Sequence, residues 1–215
     1  MAPASPSRTV SRRGALGGAL TLVYGPALAV APQVVTILGD SITAGYGLSA
    51  SEALPAQLQE SLRRLGVTAL VRGAGLSGDT TGGGLARLAF SVQPDTRLCI
   101  VALGGNDLLR GLEPSLVRAN LEGIVRRLRA RRMGVLVAGV VAPEVIGSAY
   151  ARAFTHAFAD AARAQGAAFY PDLLAGVAGR PSLNQPDGIH PNAAGVRLIA
   201  GRLAPAVARV LRARR

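Results

Sequence analysis

Lysine is absent from these 215 residues, so the net charge of +12 is carried by arginine alone. That absence excludes a phosphate loop of the glycine-rich type, which needs a lysine to reach the outer phosphates, and Gly82-Gly83-Gly84 is no nucleotide cradle. Aromatic residues make up only 4% of the chain, too few to interleave with the arginines as a nucleic-acid surface requires. A single cysteine, Cys99, rules out an intramolecular disulfide, so the fold must stand on its core. Within Leu98-Cys99-Ile100-Val101-Ala102-Leu103 that cysteine reads as a buried strand residue. Cysteine and histidine nowhere group at metal-ligand spacing, and neither a metal nor a cofactor is expected. Gly-x-Ser-x-Gly is also missing, which argues against the nucleophile elbow of an ordinary α/β-hydrolase.

Residues 1–29 carry Arg8, Arg12 and Arg13 and no acidic residue, ahead of an apolar run from Ala15 to Val23. Gly25-Pro26 breaks the run, and Ala27-Leu28-Ala29 has the small-x-small form of a cleavage site, so a signal peptide is expected over 1–29. Ser11-Arg12-Arg13 also resembles a twin-arginine signal. The apolar run falls short of the roughly 20 residues a spanning helix needs. A periplasmic or secreted protein with a single domain over 30–215 is the expectation. Removing the three leader arginines leaves +9 (12 minus 3), enough for at most a weak, salt-dependent attraction to a membrane surface.

From Val34 onward, short apolar runs alternate with longer amphipathic stretches, the signature of a parallel sheet covered by helices on both faces. Strands are expected at Val34–Leu38, Val67–Val71, Leu98–Leu103, Val135–Val141 and Ala167–Tyr170, with a glycine-rich loop over Gly73–Gly84. Helices are expected around Leu54–Leu65, Leu85–Phe90, Glu113–Arg132 and Tyr150–Arg163, and after Pro191-Asn192 to the end. In such sheets ligands bind at the carboxyl ends of strands, where Ser41, Gly78 and Asn106 all fall.

Only two histidines occur, and one, His190, lies in a Gly/Pro-bounded loop three residues after Asp187. Asp-x-x-His spacing puts both side chains on one side of a single turn. A hydroxyl becomes a useful nucleophile when an imidazole takes its proton and a carboxylate orients the imidazole, and Ser41 in Leu38-Gly39-Asp40-Ser41-Ile42-Thr43 is the candidate hydroxyl. Each residue also has a structural reading: Ser41 as a helix cap, Asp187 as a turn former, His190 as a surface loop residue. His156 and the arginines at 126, 127, 129, 131 and 132 read as solvated helix faces, and Asp40 and Asp79 as residues that shape loops.

Four segments in order, Gly39-Asp40-Ser41-Ile42, Ser77-Gly78-Asp79-Thr80, Gly104-Gly105-Asn106-Asp107 and Asp187-Gly188-Ile189-His190, resemble the blocks of the SGNH (GDSL-type) hydrolases. The longer strings around Ser41 and Gly78 are similar to its bacterial thioesterase I/lysophospholipase/arylesterase branch, and the resemblance spans essentially the whole mature chain. It implies a three-layer α/β/α sandwich with a flavodoxin-like parallel sheet of about five strands. It also implies Ser41, Asp187 and His190 as the catalytic group, with the Ser41 and Gly78 backbone N–H groups and the Asn106 side-chain amide as oxyanion donors. Glycine permits close backbone approach and an amide donates without a buried charge, so the chemistry suits those positions. Gly78 has a turn-former alternative and Asn106 a helix-cap alternative. In that branch the loop after the fourth strand is Pro-Asn-Tyr-Gly-like. Here it reads Ala142-Pro143-Glu144-Val145-Ile146-Gly147-Ser148-Ala149-Tyr150, so acyl chain length is not implied.

The expected activity is hydrolysis of carboxylic esters or thioesters through an acyl-enzyme, on small ester, thioester or lysolipid substrates, by a monomer. Passage of the acyl group to an alcohol, carbohydrate O-deacetylation and a non-catalytic binder are the alternatives.

Overall fold

A computed structural model describes residues 1, 2, 4 and 33–214. The expected leader therefore lies, apart from three positions, outside the described residues. Among the described residues, the unit Pro32–Arg215 holds every strand and both apolar cores, so it contains what its folding requires.

Its five strands are β1 (Gln33–Gly39), β2 (Ala69–Gly75), β3 (Leu98–Ala102), β4 (Gly134–Ala138) and β5 (Ala168–Tyr170), all parallel in the order β2-β1-β3-β4-β5. Seven α-helices accompany them: α1 (Ser41–Ala44), α2 (Leu54–Arg64), α3 (Thr81–Ser91), α4 (Gly105–Leu109), α5 (Pro114–Ala130), α6 (Ser148–Ala164) and α7 (Ala193–Arg212). This is the expected α/β architecture with a flavodoxin-like sheet, in which strand order reverses between β1 and β3 and opens a crevice beyond their carboxyl ends.

Buried on both faces, β3 and β4 read as unbroken apolar runs, which is what a central parallel strand needs. One core packs Leu54, Leu58 and Leu62 of α2 with Ile199, Leu203 and Val207 of α7 against one sheet face. The second packs Val117, Leu121, Ile124 and Leu128 of α5 with Phe154 and Phe158 of α6 against the other. Burial pushes the Cys99 thiol up to about 12, so it stays a thiol and serves as packing.

The glycine-rich stretch departs from expectation. It is not one loop: Gly73 and Gly75 close β2, and Gly82-Gly83-Gly84 form the first turn of α3. A Cβ on Gly75 would collide with the backbone of Asp40 and Ala44, so glycine there lets α1 lie against the strand end. Gly84 leaves room for the tip of the Leu103 side chain, which would have to shift to admit a Cβ there. The helical start of α3 is secured by Thr80, whose hydroxyl accepts from the Gly83 N–H at 3.2 Å. It is also held by buried Asp107, which accepts from the Thr81 N–H at 2.9 Å and the Thr81 hydroxyl at 2.6 Å. The second strand likewise starts at Ala69, two residues later than the apolar pattern suggests. Val67 is buried in the turn that ends α2, with its N–H on the Leu62 carbonyl.

Candidate active site

Ser41 is the first residue of α1, directly after β1, and it does not cap that helix. Asp40 does, accepting from the Ile42 N–H at 3.0 Å, while Gly45 at φ 76° ends the turn. The serine hydroxyl is thereby left for other partners. From the far end of the chain His190 reaches it, with Nε2 2.9 Å from Ser41 Oγ. His190 Nδ1 lies 2.6 Å from Asp187 Oδ2, and the other carboxylate oxygen of Asp187 accepts from the Ile189 and His190 N–H groups at 2.9 and 3.0 Å.

Those N–H groups and the imidazole hold the Asp187 carboxyl down at about 2. Asp187 is a carboxylate throughout the neutral range, so the Nδ1 proton stays on the side facing it and Nε2 is free to accept. Tyr46 stacks obliquely on the imidazole at a centroid distance of 4.5 Å and shields one face of it.

Around Ser41 the donors are unspent. Among the described residues, neither the Ser41 nor the Gly78 backbone N–H has an acceptor. Gly78 adopts φ 79°, which glycine tolerates. Its loop is held from the carbonyl side: Asn106 Nδ2 donates to the Asp79 carbonyl at 2.9 Å and Arg110 to the Gly78 carbonyl at 2.9 Å. Asn106 lies inside α4, whose cap is Gly104, so it is not the cap that its position before Leu108-Leu109 suggested. One of its two amide protons orients the side chain and the other is left over.

Asp79 shapes its loop as expected. It accepts from the Thr80 N–H at 3.1 Å and pairs with Arg87 Nε at 2.6 Å. Arg87 also donates to the Gly39 and Ala74 carbonyls at 2.8 and 3.0 Å, pinning the ends of β1 and β2 to the Gly78 loop. Local spacing gives no sign of this, because the two carbonyls lie 13 and 48 residues away along the chain. His156 is exposed on α6, as expected, and belongs to no site. The arginines of α5 correct an expectation in part, because Arg127, Arg129 and Arg131 donate to backbone carbonyls of neighbouring elements instead of being merely solvated.

Gln185 is a second residue that the sequence did not single out. Its amide donates to the Tyr46 and Pro191 carbonyls at 2.8 and 3.1 Å, and its own N–H to the His190 carbonyl at 2.7 Å. It joins the Asp187–His190 turn to the loop that follows Ser41. A 1 Å misplacement of reacting groups can cost about 10²-fold, so Gln185→Ala is expected to lower kcat about 10-fold with little change in KM. Steady-state kinetics on a chromogenic ester check this, and an unchanged kcat would remove Gln185 from a positioning role.

Asp40 sits over a small, mainly apolar cavity of about 40 Å³ between β1, β3 and β4, and burial pushes its carboxyl up to about 6. A folded-state value above the unfolded one of 3.8 means that the folded chain holds this proton longer. Stability therefore falls as pH rises from about 4 to about 6, and the full cost persists above that. Asn caps as well as Asp does, so Asp40→Asn keeps the helix start and removes the buried charge. It is expected to stabilise the fold at pH 8, by at most about 3 kcal/mol, and to do nothing at pH 4. Urea midpoints at the two pH values decide the matter; equal shifts at both would show that the charge is not the cause.

The sequence matches the GDSL-like Lipase/Acylhydrolase family over residues 14–198. It is 39% identical over 177 residues to the esterase TesA of Pseudomonas aeruginosa, covering 82% of this chain and 88% of that protein. It is 38% identical over 165 residues to the thioesterase 1/protease 1/lysophospholipase L1 of Escherichia coli K12, covering 76% and 78%. Among solved structures, that of AlinE4, an SGNH-hydrolase family esterase, superposes with a TM-score of 0.70 at 44% identity, covering 84% of this chain and 97% of that one.

Proposed function

We propose a mechanism from the premise that this chain belongs to the GDSL-like lipase/acylhydrolase family and is an ester-hydrolysing enzyme. Ser41 is the nucleophile, His190 the general base and then acid, and Asp187 the group that fixes the imidazole's tautomer. The observation that carries this reading is the unbroken line of hydrogen bonds from the Asp187 carboxylate through the imidazole to Ser41 Oγ.

His190 Nε2 takes the hydroxyl proton as Oγ attacks the acyl carbon of the ester or thioester. Negative charge develops on the former carbonyl oxygen, where the N–H groups of Ser41 and Gly78 and the spare amide proton of Asn106 receive it. The imidazolium then returns its proton to the leaving alcohol or thiol, and the bond to that group breaks. Water then attacks the acyl-serine as His190 takes its proton; the imidazolium gives that proton to Ser41 Oγ as the acyl–Oγ bond breaks, and the carboxylic acid leaves. No step calls on a metal or cofactor.

Tyr46, Leu76 and Ile189 on loops and Leu109 at the end of α4 are large apolar side chains left exposed on this edge of the sheet. They favour esters with an apolar acyl or aryl portion, in line with aryl esters, acyl thioesters and lysolipids as substrate classes. The basic, apolar and small-residue segments of 1–29 support export to the periplasm or beyond, with 30–215 as the mature enzyme. A monomer suffices, because every proposed catalytic group comes from one chain.

An organophosphonate ester that mimics the tetrahedral intermediate is expected to add one phosphonyl group per chain at Ser41, as read by peptide mass spectrometry. Labelling at another residue would overturn the mechanism.

A further inference from the structure

We infer that the amino-end edge of the sheet is a docking surface for an anionic phospholipid bilayer, which holds the domain with its Ser41 edge turned to the water. This inference is independent of the mechanism above.

All strands are parallel, so Gln33, Ala69, Leu98, Gly134 and Ala168 begin along one edge, opposite Ser41. The helices α2, α5, α6 and α7 end at that same edge, and arginines tie their ends together. Arg212 donates to the Leu65 carbonyl after α2 at 3.0 Å, Arg214 to the Arg132 carbonyl after α5 at 2.8 Å, and Arg129 to the Gly166 carbonyl after α6 at 2.7 Å. Between them lies an open hollow of about 330 Å³, rimmed by Arg129, Arg209 and Arg214 over Met133, Val135 and Val210.

Helix carboxyl ends attract cations, and that is the ordinary reason for arginine here. The magnitudes show that it is not sufficient. Arg126, Arg129, Arg132, Arg209, Arg212 and Arg214 are all exposed, and among the described residues none has a carboxylate within 4.0 Å. The nearby carboxylates of Glu60 and Asp160 are already paired with Arg63, Arg64, Arg118 and Arg163. With α3, five helix ends supply about half a negative charge each, roughly two and a half in all, so about three and a half of the six positive charges stay uncompensated. At the opposite edge Asp79 is neutralised by Arg87, and the exposed carboxylate of Asp187 beside Ser41 would be repelled by an anionic surface. The charge asymmetry therefore orients the molecule as well as attracting it.

The edge is also apolar in places. Phe90, in the last turn of α3, is 86% exposed, and Leu65, after α2, is 41% exposed. Such side chains have a place at the boundary between headgroups and acyl chains but none on a phosphate backbone, and one phenyl ring is no stacking platform for bases. Guanidinium groups beside isolated apolar anchors fit a lipid surface, where each basic residue contributes about fivefold in binding at low salt.

The test is cosedimentation with phosphatidylglycerol/phosphatidylcholine vesicles at low salt. It is run on the full chain and on the chain from residue 32, which carries both cores, so that any binding by the leader is separated. Among the described residues, the side chains of Arg126, Arg132 and Arg209 make no hydrogen bond, so R126Q/R132Q/R209Q removes charge without removing a helix-end contact. In the shorter chain this triple variant is expected to bind about 100-fold more weakly, and R209Q alone severalfold more weakly. Hydrolysis of a soluble aryl ester is expected to stay at the parent rate for both variants and for the vesicle-bound parent. The inference is overturned by any of four results. The shorter parent chain does not bind anionic vesicles; the variants bind them as tightly as the parent; vesicle binding blocks turnover of the soluble ester; or the chain prefers duplex DNA to vesicles.

Discussion

Ser41→Ala is expected to lower kcat about 10⁶-fold on a chromogenic ester while the protein stays folded, because among the described residues no other hydroxyl is hydrogen-bonded to His190 Nε2. The two halves of the expectation have separate causes. Ser41 Oγ makes its one hydrogen bond to the imidazole, so losing it removes the attacking atom and leaves the Asp187–His190 contact at 2.6 Å in place. The helix start depends on Asp40 and not on Ser41, and alanine is a better helix former than serine, so stability should move by less than about 0.5 kcal/mol. A residual rate about 10³ to 10⁴ above water should survive from the backbone donors. Full turnover, measured beside an unchanged thermal melt, would show that Ser41 only begins a helix.

Asn106→Ala should follow as the next largest loss, about 10² to 10³ in kcat, equivalent to about 3 to 4 kcal/mol of transition-state stabilisation. The residue gives up two things of unequal value. Its hydrogen bond to the Asp79 carbonyl is an ordinary intramolecular contact, worth about 1 kcal/mol to the fold. Its second amide proton faces no described acceptor in the resting enzyme and gains a partner only when charge appears on the substrate oxygen, so its loss falls on kcat and leaves KM nearly unchanged. A kinetic split between the two parameters, set against a urea midpoint, tells the roles apart. A large stability loss with kcat intact would make Asn106 a structural residue alone.

How far the site was legible follows from where each partner lies along the chain. Asp187 and His190 are three residues apart and share a turn, and the structure shows them in contact. Ser41 lies 149 residues from His190, yet Ser41 starts the helix at the carboxyl end of β1 and His190 sits in a loop at that same edge, and alternation of strand and helix is enough to put such segments on one edge. Gln185 and Arg87 were not legible. Gln185, and Arg87 apart from its ion pair with Asp79, act through backbone carbonyls of other segments, and a carbonyl has no residue identity to read. The glycine-rich stretch failed for a related reason: glycine signals permission, and whether a strand end, a helix start or a loop uses it depends on what packs alongside, here Asp40 and Ala44 against Gly75 and Leu103 against Gly84. Asp40, taken from the sequence as a loop former, is a helix cap whose carboxyl is pushed up by burial at the carboxyl ends of β1, β3 and β4, a property that no local pattern carries.

The amino-acid order alone determined the layered α/β fold, the succession of strands and helices, and the pairing of an aspartate with a histidine, because periodic apolarity and short-range spacing are local quantities. Tertiary structure decided which N–H groups stay unspent beside Ser41, which carboxyl is pushed up by burial, and how uncompensated arginines collect on the edge away from it. Those outcomes depend on distances between segments far apart in the chain, and only folding sets such distances.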